Sequence, residues 1–424
     1  MRRRRKDCMK KGNPVLQMPE LLSPAGDREC LEAAIRYGAD AVYLGGTQFG
    51  MRAASANFDA DGLKAACTYA HERGTRVYLT CNTLPTNEEA EQLPEFLRMA
   101  QEAGVDALIV ADVGILMLAR RVVPALPVHI STQAGVVNYL TATELFRLGA
   151  SRVVLARELS LDTIRVIRDK APPELELEAF VHGAMCMSFS GRCLISSYLT
   201  RRDANRGECA QPCRWNYRLV EEKRPGQYFP IFEDERGSYL LNAKDLCMIE
   251  HIDKLAQAGI TSFKIEGRAK SAYYTAVITN AYRGAIDAYR RDPERFEPPP
   301  WTLEEVNRVS HREYSTGFYF DRPDQRDRDG GYIREWEIVA VVDGWEGGSL
   351  VVTERNRFSR GARGDRVGIM VPHSRPVLFE IGTILDPECG EVESACHPMR
   401  RYLLPYDTPL PAGSILRRQA AETI

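Results

Sequence analysis

The strongest constraint on this chain is a repeated unit. A short apolar run ends on a polar residue or glycine, and a helical pattern usually follows. The runs are ELLSPAG (20–26), AVYLGG (41–46), VYLTCN (77–82), ALIVAD (107–112), VHISTQ (128–133), VVLARE (153–158), LEAFVHG (177–183) and FKIEGR (263–268). They are short, β-rich and bounded by turn signals, as buried parallel strands are. Between them, segments such as DRECLEAAIRYGA and TATELFRLGA repeat apolar residues at helical spacing and close on Gly-Ala. Eight strands with intervening helices predict a TIM-type (β/α)8 barrel over 19–290. An open doubly wound sheet is the alternative arrangement of the same elements.

One interval breaks the rhythm. Between Gly183 and Phe263 lie about eighty residues, far more than one helix requires. This insertion, 184–262, follows the seventh strand, at the end of a barrel where active sites collect. It includes YLLNAKDLC (239–247), which reads as an extra strand leading into a helix. After residue 290 comes a charged, proline-rich connection, RRDPERFEPPPWT, within a linker of helical or irregular character over 291–334. From 335 to 424 the pattern changes to short alternating strands with turns, as in EIVAVVDGWEGGSLVV, and predicts a small C-terminal β-barrel.

Composition narrows the class. Of 424 residues, 44% are hydrophobic and 27% charged, as in a soluble globular protein. No stretch has the apolar length of a membrane span. The start, MRRRRKDCMKKGNP, is basic, lacks an apolar h-region and reads as a disordered arm over 1–18. A cytoplasmic location is expected. The formal net charge is −2, so contact with nucleic acid requires a local basic face.

There are 11 cysteines. In a reducing compartment they do not form a disulfide framework. Cys186, Cys193, Cys209, Cys213 and Cys247 all fall in the insertion. Thiolates are soft ligands for zinc or iron–sulfur clusters. Repeated Cys-x2-Cys knuckles are absent, which favours an irregular cluster site over a zinc ribbon. Five buried thiols without function, or one cysteine-protease nucleophile beside His182, are the other readings.

Polar residues at the strand ends complete a mouth: Asn82, Asp112, Gln133, Arg157, Glu158, His182, Glu266 and Arg268. Arg157, Arg192 and Arg268 have the forked cations that bind carboxylates. His182 is a candidate acid or base, or a ring held against the cysteine loop. Lys264 and Glu266 share a strand face by period two, as an ion pair or as chemistry. The stretch RRDANRGECAQPCRW (201–215) is basic and ends on Trp215, suited to phosphate and a stacked base.

These residues resemble a known family. Glu178, Phe180, Gly183, Ala184, Met185, Cys186, Gly191, Cys193, Ile195 and Ser196, in that spacing, match the signature of the peptidase U32 (collagenase-like) family. ELLSPAGD, GECAQPCRW, NAKDLC and SFKIEGRAKS extend the resemblance, and the tail is similar to that family's C-terminal domain, like domain II of translation elongation factors. The family name implies proteolysis, yet HExxH and GxSxG motifs are absent. The resemblance also implies oxygen-independent hydroxylases holding a 4Fe-4S cluster. Their subgroups act on ubiquinone precursors, a ribosomal RNA cytidine, or the tRNA wobble uridine. Length and tail place this chain nearest the tRNA subgroup, which implies 5-hydroxyuridine formation with prephenate as hydroxyl donor. A shorter family protein is a possible partner. Cys186, Cys193, Cys209 and Cys247 match one ligand set of the family, while another subgroup uses the position of Cys213. Both positions are cysteine here, so the fourth ligand stays open.

Overall fold

The computed structural model describes residues 18–50, 57–186, 188–189, 193, 195–204, 207–215, 233–234, 237–238, 243–321, 332–360 and 366–420. The basic arm over 1–17 and Arg192 lie outside them.

All eight predicted runs are strands. They are β1 (Glu20–Pro24), β2 (Ala41–Gly45), β3 (Arg76–Cys81), β4 (Ala107–Val110), β5 (Val128–Ile130), β6 (Arg152–Val154) and β7 (Glu176–Gly183). After β8 (Asp245–Cys247), which lies outside the repeat, comes β9 (Ser262–Ile265). Each barrel strand pairs in parallel with the next, and β9 pairs with both β7 and β1. That double pairing closes the barrel and excludes the open sheet.

Outside the strands lie α1 (Arg28–Arg36), α2 (Ala60–His71), α3 (Asn87–Ala103), α4 (Val113–Val122), α5 (Tyr139–Arg147) and α6 (Leu161–Lys170). The short α7 (Ile195–Thr200) belongs to the insertion, and α8 (Ile252–Gln257) and α9 (Ala272–Arg291) complete the ring. α10 (Pro300–Val306) follows in the connection. Each of α1 to α6, and α9, begins at an Asp, Thr, Asn or Ser whose side chain accepts an N–H from the first turn. Such a cap is worth about 1 kcal/mol and fixes where a strand's loop becomes a helix.

The barrel interior is only partly apolar. Leu22, Ala41, Tyr43, Tyr78, Ala107 and Ile109 pack there. Beside them runs an ionic network. Glu178 accepts from Lys264 Nζ at 2.8 Å and from Arg152 Nη1 at 3.0 Å. Arg152 also donates to Glu20 at 2.7 Å, and Tyr78 Oη donates to the other oxygen of Glu20 at 2.7 Å. Burial alone would raise the Glu178 carboxyl, but Lys264 and Arg152 hold it below the ordinary carboxylate range. His129 stacks edge-on against Tyr78 with centroids 4.7 Å apart. Burial pushes its imidazole well below the ordinary value, and the charges of Arg152, Lys264 and Arg76 add to the shift.

The insertion returns to the barrel through β8, which lies antiparallel beside the end of β7. A short strand from the connection, β10 (Tyr314–Ser315), pairs in parallel with β8. The C-terminal region is an eight-stranded antiparallel sheet, running in order from Val377–Glu380 to Gly390–Val392. Among the described residues no pairing joins these two edge strands.

The sheet docks on the barrel through buried polar contacts. Arg417 Nη2 donates to Glu305 Oε1 at 2.5 Å, and both side chains are fully buried. Tyr37 Oη donates to the carbonyl of Gly413 at 2.9 Å and lies 3.2 Å from that of Met370.

Two outcomes follow. Glu305→Ala leaves the Arg417 charge buried and is expected to cost about 3–5 kcal/mol, whereas Glu305→Leu with Arg417→Met restores most of the loss. Calorimetric melting of the three proteins checks this. His129 is neutral in the fold but protonates below about pH 6.5 when unfolded. Stability is therefore full above that pH and falls as pH drops, by up to about 1.4 kcal/mol per pH unit for this group. His129→Phe removes that component, so between about pH 7.5 and about pH 5 the urea midpoint of the wild type should fall further than that of the variant.

Candidate active site at the barrel mouth

The mouth is shaped by the end of β7. Glu178 pairs with Ser262 and Phe180 with Lys264, but His182 pairs with Ile265. Val181 is therefore an extra residue, a β-bulge that reverses which face the following side chain takes. Phe180 stays on the inner side, beneath the Lys264 ammonium and the Arg157 guanidinium. His182 turns outward beneath α9. Its ring lies among Tyr274, Tyr282 and Tyr314, with Nδ1 3.4 Å from Tyr282 Oη. Burial drives the imidazole down to about 3, so it is neutral. Simple alternation would have pointed this ring into the mouth; the bulge is not visible in the residue pattern.

At Gly183 the chain turns into the cysteine insertion. Its φ is +112°, and a Cβ there would stand 2.6 Å from the carbonyl oxygen of Glu266. Only glycine fits both conditions. Glu266 itself is half-buried. Its N–H donates to the carbonyl of His182 at 2.9 Å, and its own carbonyl accepts from Tyr274 Oη at 3.0 Å. Lys264 takes Glu178 as its ion partner, from the strand alongside.

The arginines hold backbone and hydroxyl groups. Arg157 Nη1 donates to the carbonyl of Ala184 at 3.0 Å, bracing the first residue of the insertion. Arg268 is buried, crosses above Gly45 and donates to Thr80 Oγ1 at 3.0 Å. A side chain on Gly45 would overlap its guanidinium. Across the mouth, Gln133 Oε1 accepts from Asn82 Nδ2 and Ser131 Oγ, each at 2.9 Å. Asp112 caps α4. Glu158 is half-buried after β6.

The five thiols sit on the insertion above this rim. Cys186 and Cys209 are exposed, and each sulfur accepts a backbone N–H two residues on, from Ser188 at 3.4 Å and Gln211 at 3.3 Å. Burial acts to raise the Cys193 thiol, but hydrogen bonds from Ser188 and the N–H groups of Ile195 and Ser196 outweigh it and lower the thiol overall. Ser196 Oγ accepts the N–H of Ala210 at 3.0 Å, tying the Cys193 turn to the Cys209 turn. Cys213 lies on the 3-10 turn Pro212–Arg214, which packs against α7. Cys247 pairs across to His182, with its sulfur 3.9 Å from Tyr282 Oη. Burial pushes this thiol up to about 11.

The donors suit an iron–sulfur cluster in kind and number: soft thiols on turns whose N–H groups already point at sulfur. Among the described residues, no three His, Cys, Asp or Glu side chains converge into a metal-holding group.

Two residues at the root of the insertion were not among the sequence candidates. Arg312 and Asp245 form a buried ion pair, with Nη2 and Nε 2.6 and 2.9 Å from Oδ1. The place of Asp245 in NAKDLC, two residues before Cys247, was their only sequence signal. Among the described residues, no helix is long and apolar enough to cross a membrane.

Residues 26–329 match Peptidase family U32, and residues 334–417 match the Peptidase family U32 C-terminal domain. The chain is 36% identical over 409 residues to tRNA hydroxylation protein P1 of Bacillus subtilis, covering 95% of this chain and 96% of that protein. It is 46% identical over 309 residues to an uncharacterized protease of Methanocaldococcus jannaschii, covering 72% and 74%. It is 40% identical over 270 residues to the 23S rRNA 5-hydroxycytidine synthase of Escherichia coli, covering 63% of this chain and 39% of that protein. The chain thus belongs to peptidase family U32 and carries the C-terminal domain of that family.

Proposed function

We propose that this protein is an RNA hydroxylase that forms 5-hydroxyuridine at the tRNA wobble position, with prephenate as hydroxyl donor. The observation that carries the reading is similarity along 95% of the chain to a relative named for tRNA hydroxylation. The relative named as a ribosomal RNA hydroxycytidine synthase supports the wider class, hydroxylation of a pyrimidine in RNA. The sequence of the insertion supports it, since five thiols lie in the segment that follows the seventh strand of a closed barrel.

In this reading a 4Fe-4S cluster is held by Cys186, Cys193, Cys209 and either Cys213 or Cys247. When bound, it supplies redox-active iron at the mouth. The protein's own groups do the rest. The target base leaves its stack to reach the mouth, as chemistry on a base requires. Trp215, half exposed after the Cys213 turn, offers a stacking face, and the basic 201–215 stretch and the C-terminal sheet hold the RNA backbone. Arg268 and Arg192 are the proposed carboxylate forks for prephenate, while Arg157 braces Ala184. His182, buried and neutral under the tyrosines, orients the end of β7 rather than carrying a proton. The protein acts in the cytoplasm, alone or with a shorter family member.

Two measurements test the reading. Protein purified without oxygen should be brown and hold about four irons with matching sulfide, and Cys193→Ala should lose most of both. Colourless, iron-free wild-type protein would overturn the cluster. Mass spectrometry of tRNA nucleosides from a deletion strain should show loss of 5-hydroxyuridine and its derivatives, restored by the wild-type gene. An unchanged nucleoside profile, with gelatin hydrolysis that survives iron removal, would instead support the peptidase named by the family.

A further inference from the structure

The cysteine insertion leaves the barrel at Met185 and returns at Asp245. One buried arginine from outside the insertion holds both points. Arg312 is 1% exposed and Asp245 is 3% exposed. The guanidinium grips Asp245 Oδ1 through Nη2 and Nε, and the backbone N–H of Arg312 donates to Oδ2 at 3.0 Å. Arg312 Nη2 also donates to the carbonyl of Met185 at 3.4 Å. The same segment continues into β10, which pairs with β8. Farther on, the backbone at Gly317 packs against Leu246, and Tyr319 Oη donates to the carbonyl of Phe180 at 2.6 Å.

A buried ion pair is a poor source of stability, because an apolar pair of similar volume commonly does as well. What two guanidinium N–H groups converging on one carboxylate oxygen add is direction. Here it points at the residue before Cys186 and at the residue two before Cys247. We infer that Arg312 is a positioning residue for the thiols. It clamps the root of the insertion, so that Cys186 and Cys247 are held in place before any iron arrives. This rests on the cluster reading for its purpose, though the clamp itself is a property of the metal-free chain. It relieves part of the entropy of closing a long loop that carries ligands at both ends.

The test uses the full-length protein. Metal-free wild type and an Arg312→Met, Asp245→Leu double variant, which leaves no orphaned buried charge, are alkylated with iodoacetamide without oxygen. Peptide mass spectrometry then reads each cysteine. Cys247 should react about tenfold faster in the double variant, because the β7–β8 pairing opens more often. Cys67, on the buried face of α2, should keep its slow wild-type rate. Arg312→Lys, which retains charge but lacks the fork, should fall between. After anaerobic reconstitution, the double variant should lose iron to a chelator about tenfold faster than wild type. A wild-type rate at Cys247, or equal acceleration at Cys67, would overturn the clamp. Faster alkylation with unchanged iron loss would overturn its role toward the cluster. If wild type takes up no iron, the cluster reading fails, and the alkylation arm alone decides the clamp.

Discussion

Glu178 stands where the barrel must close. Its carboxylate, fully buried, is shared by Lys264 from β9 and Arg152 from β6, and Arg152 also reaches Glu20 on β1. Ser262 Oγ, at the start of β9, donates to Glu20 at 3.0 Å and lies 3.3 Å from Glu178. These residues lie on the strands that meet at the seam. Burying any one of the charges alone would be prohibitive, so each requires the others in place. The seam and the network form together. Phe180 rests just above this floor and supports Arg157. Disturbing the network would shift the base on which the insertion is mounted.

The bulge at Val181 divides labour at the top of β7. Below it, side chains face the ionic interior. Beyond it, His182 joins a tyrosine layer under α9, and Gly183 turns the chain up into the thiol-bearing insertion. Tyr282 links the two regions. Its hydroxyl donates to the carbonyl of Val181 at 2.7 Å and accepts the N–H of Met248 at 3.0 Å. The packing of a barrel helix is thereby coupled to the strand that carries Cys247. The C-terminal sheet is anchored beside the same connection, since Glu305 of α10 holds Arg417 and Arg308 together. Connection and sheet therefore meet through one buried carboxylate.

Much of the scaffold was legible. Strand runs such as AVYLGG and ALIVAD became β2 and β4 because apolar runs buried on both faces have few other uses. Helical runs were legible where apolar residues recur at helical spacing, as in DRECLEAAIRYGA, which holds α1. The thiols were legible as a donor set because five soft ligands crowd one insertion. Partner choice was not. Lys264 reads naturally with Glu266, its neighbour on the strand, yet it pairs with Glu178, which is 86 residues away in the chain. Arg157, read as an anion fork, donates its Nη1 to the carbonyl of Ala184. Asp245 and Arg312, 67 residues apart, carried no signal that they would meet. Asp112, a candidate at the mouth, is committed to capping α4.

The chain's own pattern decided the order of strands and helices, the break after the seventh strand, and the gathering of thiols in that break. These are local properties: periodicity, caps and turn residues act over a few positions of backbone. Only the folded chain decided that β9 would bond to both its neighbours, that one extra residue would turn His182 away from the mouth, and that Arg312 would reach the root of the insertion. Closure, strand parity and ion pairing depend on which distant residues meet when a ring of strands shuts. Buried charges then leave few acceptable partners, and no short window of sequence contains them.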